Sequence, residues 1–378
     1  MPVTFNLECR DTNCQARAGK LTTTHGQIST PMFMPVGTSA SVKAIHQKEL
    51  EDHIKAQIIL GNTYHLYLRP GMDIIHKAGG LHAFMNWPGP VLTDSGGYQV
   101  FSLSANRKIK PEGVVFNSHI DGSKHFFTPE SVVQIQRYLG ADLMMALDEC
   151  PPYPSDKLYA EKSLELTNRW LDSGIDHYEN TKSLYGYDQC FVPICQGSVY
   201  DDLRIASIKY ITRYQNPVYA IGGLSVGEPE SDLYRLVEIS CNYLPEHSAR
   251  YLMGVGTPEN IINCIERGID LFDCVLPTRN ARHGILYTTK GIVHIKNAKW
   301  QDDYEPIDPG IDLQTSARHS KSYLRHLFMS REILAAQLAS LQNLRFFIWL
   351  VEEARKQIIR GTFVSWKESL LPVLNKKI

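Results

Sequence analysis

Residues 143–148 read LMMALD: five apolar side chains in a row, then a carboxylate. A run this short and this apolar suits a strand buried on both faces, as in a parallel sheet covered by helices. The pattern recurs seven more times, in runs that end at Gly37 (PMFMPVG), Gly61 (QIILG), Asp94 (PVLTD), Gln196 (CFVPICQ), Gly222 (VYAIG), Gly254 (YLMG) and Asp273 (DLFD). Amphipathic stretches separate several of them. One opens at Thr128-Pro129-Glu130, where Thr suits the N-cap, Pro the first helical position and Glu the positive end of the helix dipole. Eight strand–helix units predict an α/β fold, a (β/α)8 TIM barrel whose working groups sit at the C-terminal strand ends, where the polar stops fall.

Two stretches interrupt the alternation. VVFNSHIDGSKHFF (114–127) has strand-like runs on either side of Asp121-Gly122, a type I′ hairpin signal, and predicts an insertion over the barrel mouth at about 102–127. After Gly284 comes a second hairpin pattern (ILYTTKGIVHIK, 285–296), an irregular stretch, and helices from about Ser322 to Gly361. The predicted division is a catalytic barrel over 1–284 and a mostly helical C-terminal lobe over 285–378, docked on it.

Lys plus Arg total 39 against 40 Asp plus Glu, so no global field draws in a polyanion and any nucleic acid must meet a local basic patch. The eight cysteines include no CxxC pair, which argues against a disulfide framework and for a reducing compartment. Glu8, Arg10 and Asp11 break up the N-terminus before a signal-peptide core can form. No stretch approaches ~18 uninterrupted apolar residues. The expectation is a cytoplasmic protein with no membrane partner.

Three strands end in Asp: Asp94, Asp148 and Asp273. There is no serine elbow, HExxH or Walker loop, so carboxylate chemistry leads. Paired carboxylates carry out displacement at an anomeric carbon, one attacking and one handling the proton, and a nucleoside bond is glycosidic. A single strand-end Asp is more simply an N-cap or a metal ligand; three together point to a site. Tyr98 and Met253 can hold a planar heterocycle, or each can be plain core. Gln196 can donate to a carbonyl, and Gly222-Gly223-Leu224 can expose backbone groups or bind phosphate. Arg279 and Arg282, just beyond Asp273, suit phosphate contacts, or form a solvated surface pair.

Taken together, TDSGGYQVFSL (93–103), HIDGSKHFFTPE (119–130), ALDECPP (146–152), ICQG (194–197), IGGLSVGE (221–228), YLMGVGTPENI (251–261) and LFDCVLPTRNAR (271–282) resemble the tRNA-guanine transglycosylase family over nearly the whole chain. The resemblance implies exchange of guanine at the tRNA wobble position, in a UGU anticodon context, for a 7-deazaguanine base. It implies Asp273 as nucleophile on ribose C1′ and Asp94 as general acid/base, in two displacements that retain configuration. Asp148 would accept from the guanine N1 and N2 edge, Gln196 and the Gly223 N–H would donate to O6, and Tyr98 and Met253 would hold the ring faces. Cys150 and Val226 resemble the bacterial enzymes that take 7-aminomethyl-7-deazaguanine, whose ammonium the Leu224 carbonyl would accept; the alternative base is queuine. A homodimer is also implied.

One part departs from the family. Its structural zinc is held by a CxCxxC run and a later His, and the aligned positions here are Ile311, Leu313, Ser316 and Gln342, a set that cannot close a zinc tetrahedron; nearby His319 and His326 do not replace it. The expectation is a lobe without zinc and no cofactor. The lost ligands lend weight to a catalytically silent tRNA-binding subunit, against which the three retained Asp residues count. An ordinary barrel enzyme, a glycosidase or phosphosugar lyase, is the other alternative, and Arg279 and Arg282 discriminate it.

Overall fold

The computed structural model describes residues 3–103 and 107–378. The chain opens with an antiparallel meander of β1 (Thr4–Arg10), β2 (Arg17–Thr23) and β3 (Gly26–Thr30). β1 alternates exposed and half-buried residues, so a search for apolar runs passes over it. Then follow β4 (Met32–Met34), β5 (Val36–Gly37), β6 (Ile59–Gly61) and β7 (Val91–Thr93). Next come β8 (Lys108–Lys110), β9 (Gly113–Asn117), β10 (Lys124–Phe127), β11 (Leu143–Met145), β12 (Cys190–Val192) and β13 (Ile194–Cys195). The series ends with β14 (Val218–Ile221), β15 (Ala249–Leu252) and β16 (Leu271–Asp273).

Parallel pairing runs β5-β6-β7-β11-β12 in one sheet and β13-β14-β15-β16-β4 in another. β4 and β5 are one run split at Pro35, and β12 and β13 one run split at Pro193. Proline has no N–H for the ladder, but its carbonyl still accepts. Leu60 N–H donates to Pro35 at 3.0 Å and Ala220 N–H to Pro193 at 3.0 Å. The two sheets therefore share their outer strands, and the order of neighbours returns to its start, as a (β/α)8 barrel requires. All eight apolar runs of the sequence are strands of this ring.

The insertion is an antiparallel sheet in the order β10-β9-β8. Its β9–β10 hairpin forms, but not through the expected type I′ turn. The loop Ser118–Ser123 connects the strands, closed by Ser118 N–H to Ser123 carbonyl at 2.8 Å, and Gly122 alone takes a positive φ of 75° where type I′ needs two such residues. Residues 102 and 103 finish the helix Gly97–Leu103 instead of opening the insertion, and 104–106 lie outside the described residues.

The two rims of the barrel treat carboxylates differently. On the N-terminal rim, fully buried Asp270 takes Arg17 Nε at 3.0 Å and Arg250 N–H at 2.7 Å. Fully buried Asp142 takes His25 Nδ1 at 2.9 Å and Val91 N–H at 2.9 Å, with His82 Nε2 3.3 Å away. His25 and His82 stack with centroids 3.6 Å apart and planes 16° from parallel. Rings so aligned cannot both aim a lone pair at one ion in their planes, so this trio is a clamp that ties the β2–β3 turn to the rim. Partnered carboxylates on this face read as stability.

Beyond β16 lies the helix Leu276–His283, then the hairpin β17 (Ile285–Thr288) and β18 (Gly291–His294), and helices Lys321–Met329, Ile333–Arg360 and Phe363–Leu374. The last extends past the expected helical limit at Gly361. Helix Ile333–Arg360 has the length and apolar character to cross a membrane, yet 72% of its most apolar window is buried inside the fold. Its Phe347 meets Phe33 of β4 at 4.9 Å between ring centroids, so its middle belongs to the barrel core. Leu286, Trp300, Leu324 and Leu338 form a smaller core of their own.

Candidate active site

The C-terminal rim gathers the three carboxylates, and among the described residues none of them has the Arg or His partner that Asp270 and Asp142 have below. Asp94, directly after β7, accepts Asn62 Nδ2 at 2.5 Å, Thr63 N–H at 2.8 Å and Gly96 N–H at 3.2 Å. Burial pushes its pKa up to about 6; hydrogen bonds from Asn62, Thr63 and Gln99 oppose the rise and the charge of Asp273 adds to it. Asp148 accepts Gln196 Nε2 at 2.6 Å and faces Ser95 Oγ at 3.5 Å. Burial raises it to about 6 as well, against those bonds.

Asp273 ends β16. Its Oδ1 takes both available donors, the Tyr251 hydroxyl at 2.7 Å and Gly254 N–H at 2.8 Å. Oδ2 has no partner among the described residues and stays open to solvent. Burial raises the pKa of Asp273 too, while Tyr251 and Gly254 favour its charged form. An oriented carboxylate with one bare oxygen, beside a second carboxyl that titrates near neutrality, is the equipment of nucleophilic displacement.

The other expected residues follow the C-terminal ends of the barrel strands on the same rim. Tyr98 is 58% exposed, so it is not core packing, while Met253 is half-buried against the barrel core. Gln196 is buried, and its amide donates to Asp148 rather than standing free, leaving Oε1 without a partner. Gly223 has φ +68°, and a Cβ there would lie 2.2 Å from Gln196 Oε1, so only glycine fits. Leu224 is buried and Val226 half-buried; Glu228 ties their turn by accepting Ser225 N–H at 2.5 Å and Val226 N–H at 2.9 Å. Cys150 is half-buried, with its thiol pushed up to about 12 by burial.

Arg279 and Arg282 are exposed on helix Leu276–His283, one turn apart. They differ in freedom, since Arg282 Nη1 donates to the Thr278 carbonyl at 2.9 Å. In the lobe, Ile311 and Leu313 are buried apolar residues, the Ser316 hydroxyl donates to Gln342 Oε1, and Gln342 Nε2 donates to the Tyr287 carbonyl at 2.8 Å. Ser316 and Gln342 thus satisfy each other, and the four positions offer no zinc-ligand set. His319 stacks on Tyr323 instead, 5.5 Å between centroids.

The family model described as queuine tRNA-ribosyltransferase matches residues 11–375. The chain belongs to that family. Relatives named queuine tRNA-ribosyltransferase include one from Aquifex aeolicus, 51% identical over 99% of each chain. One from Halothermothrix orenii is 50% identical over 100% of this chain and 99% of its own. One from Thermoanaerobacter sp. is 50% identical over 97% and 96%.

Within this queuine tRNA-ribosyltransferase fold, three residues at the site escaped the sequence reading. Asn62 follows β6 and reaches across to Asp94; a lone Asn after QIILG signals an N-cap rather than a partner. Tyr251 sits inside β15, where an aromatic reads as core, and it is core except for its hydroxyl. Arg204 lies in DDLRIASIKYI, which reads as a charged surface helix, yet it is fully buried.

Proposed function

We propose that this chain is a tRNA-guanine transglycosylase of queuosine biosynthesis, exchanging guanine at the wobble position of tRNAs with a UGU anticodon context for 7-aminomethyl-7-deazaguanine. The observation that carries this reading is the pair Asp273 and Asp94. Asp273 Oδ2 is bare while Oδ1 is fixed by two donors, and Asp94 is held near pKa 6, able both to give and to take a proton at neutral pH.

In the first displacement Asp273 Oδ2 attacks C1′ of the nucleotide, the C1′–N9 bond breaks, and the base departs with the electron pair and a proton from Asp94. In the second, Asp94 takes a proton from the incoming base, whose nitrogen attacks C1′ and releases Asp273. Two inversions retain the configuration. Asp148 accepts from the N1 and N2 donors of guanine. The second Nε2 hydrogen of Gln196 and the Gly223 N–H serve O6, and Tyr98 and Met253 cover the ring faces. An adenine edge would leave these buried groups unpaired, at about 1–3 kcal/mol each.

Cys150 and Val226 match the residues of the enzymes that take the small aminomethyl base, and the Leu224 carbonyl accepts no hydrogen bond among the described residues, so it is available to an ammonium. Exposed Arg279 and Arg282 grip backbone phosphates next to the nucleophile. The lobe holds without zinc through the Ser316–Gln342–Tyr287 bonds and the apolar packing of Ile311 and Leu313. The working form is a cytoplasmic homodimer, which widens the surface offered to tRNA.

Incubating the chain with tRNA and labelled guanine tests the function: label enters tRNA if the reading holds. tRNA binding without incorporation would make the chain a silent partner subunit. Queuine used as efficiently as 7-aminomethyl-7-deazaguanine would overturn the choice of base.

A further inference from the structure

Helix Asp201–Ile211 carries its charge in an unusual place. Asp201 pairs with Arg235, and Asp202 with Lys157 at 2.6 Å, both at the surface. Arg204 turns the other way and is fully buried. Among the described residues no carboxylate pairs with it. Its Nη1 donates to the carbonyls of Cys195 at 3.2 Å and Gly222 at 2.7 Å, its Nη2 to Ser198 at 2.8 Å, and its Nε has no partner.

Those carbonyls belong to the C-terminal ends of β13 and β14, the floor of the site. The approach is tight: a Cβ on Gly197 would lie 2.7 Å from Arg204 N. Ser207, one turn on, accepts Gln196 N–H at 2.9 Å, so the buried face of this helix holds both Gln196 and the Gly222 carbonyl.

A trans peptide sets its C=O and N–H in opposite directions. The Gly222 carbonyl is held on the Arg204 side, so the Gly223 N–H of the same peptide faces away from Arg204. It has no acceptor among the described residues. A guanidinium on the carbonyl also polarises the peptide and strengthens the N–H as a donor. The desolvation of an unpaired buried cation is borne for a reason if that donor meets negative charge developing on a departing base, where preorganised dipoles act most strongly.

We infer that Arg204 is a positioning residue for base exchange, fixing and polarising the Gly222–Gly223 peptide so that its N–H binds the 6-oxo group of the purine in the transition state. The inference rests on the proposed function. Arg204 touches no substrate; it acts through the peptide.

The test compares guanine with 6-thioguanine as competitors of base exchange in wild type, Arg204→Lys and Arg204→Met, with melting temperatures alongside. 6-Thioguanine keeps the N1 and 2-amino donors but carries a poorer acceptor at position 6. The wild type is expected to favour guanine. Arg204→Met should lose tenfold or more of that preference by weakening guanine alone, with kcat falling more than KM for tRNA changes. Arg204→Lys, which keeps the charge but reaches fewer carbonyls, should fall between, and it carries the test if the Met variant does not fold. Equal weakening of both bases in step with melting temperature, or an unchanged preference, would overturn the inference. A wild type that exchanges no base would remove the functional reading itself, and the inference with it.

Discussion

The Tyr251 hydroxyl donates to Oδ1 of Asp273 at 2.7 Å and, with the Gly254 N–H on the same oxygen, leaves Oδ2 as the oxygen without a partner among the described residues. It also favours the ionised carboxylate against the rise that burial imposes. Tyr251→Phe should raise the pKa of Asp273 further. Fewer molecules then carry a nucleophile at a given acid pH, and the acid limb of the kcat/KM profile moves upward. A hydrogen bond to a charged group is worth about 1.5–3 kcal/mol, so kcat should drop by about tenfold or more with little change in the KM for tRNA. Superimposable pH profiles would contradict this role.

Asp148 yields a prediction in which stability and activity part. Its carboxyl titrates at about 6 when folded, against an ordinary value of 3.8. The folded chain therefore binds more protons than the unfolded one inside that window, and stability falls as pH rises through it. Above about 6 the full cost is present, up to about 3 kcal/mol for a shift of about two units. Asp148→Asn removes the charge and should melt about 2–5 °C higher than wild type at about pH 7.5. The gain should shrink toward about pH 4, and base exchange should be lost. A variant less stable than wild type at about pH 7.5 would refute the linkage.

The eight barrel strands were readable because a strand buried on both faces must be apolar at every position, and LMMALD or VYAIG leaves no other economical reading. Asp94, Asp148 and Asp273 stood out as the points where those runs stop. What the sequence concealed depends on direction rather than residue type. Arg204 looks like any charge on a polar helix, and nothing local says that it points inward. Tyr251 is a core aromatic whose hydroxyl alone matters. The Ser118–Ser123 loop replaces a two-residue turn because Asp121 does not enter the left-handed region that type I′ demands, despite the Asp-Gly pair. β1 was missed because its alternation is between exposed and half-buried residues, with no continuous apolar signal.

If Arg279 and Arg282 contact phosphates, their removal weakens tRNA binding in a salt-dependent way. Arg279→Ala should reduce the slope of log K against log salt by about one. Arg282→Ala should reduce it less, because part of its guanidinium is engaged by the Thr278 carbonyl. Filter binding over a salt series measures both slopes. Unchanged slopes in both variants would show that neither guanidinium contacts a phosphate.

A lobe that holds without zinc, as proposed, makes a pair of expectations. Treatment with a strong chelator should leave the melting temperature unchanged. Gln342→Ala should cost about 1–3 kcal/mol, since it strands the buried Tyr287 carbonyl and Ser316 hydroxyl. Denaturant titration reads the second and a thermal melt the first. Stoichiometric zinc whose removal lowers the melting temperature would show that the lobe has another way of holding metal.

The central claim is covalent attack by Asp273, and a denaturing gel tests it most directly. Wild type and Asp273→Ala are each incubated with tRNA and labelled guanine, then resolved for a protein–RNA band. The account predicts label in tRNA and a covalent band for the wild type, both absent from Asp273→Ala. Exchange that survives in Asp273→Ala, or a covalent band that persists without Asp273, would contradict it.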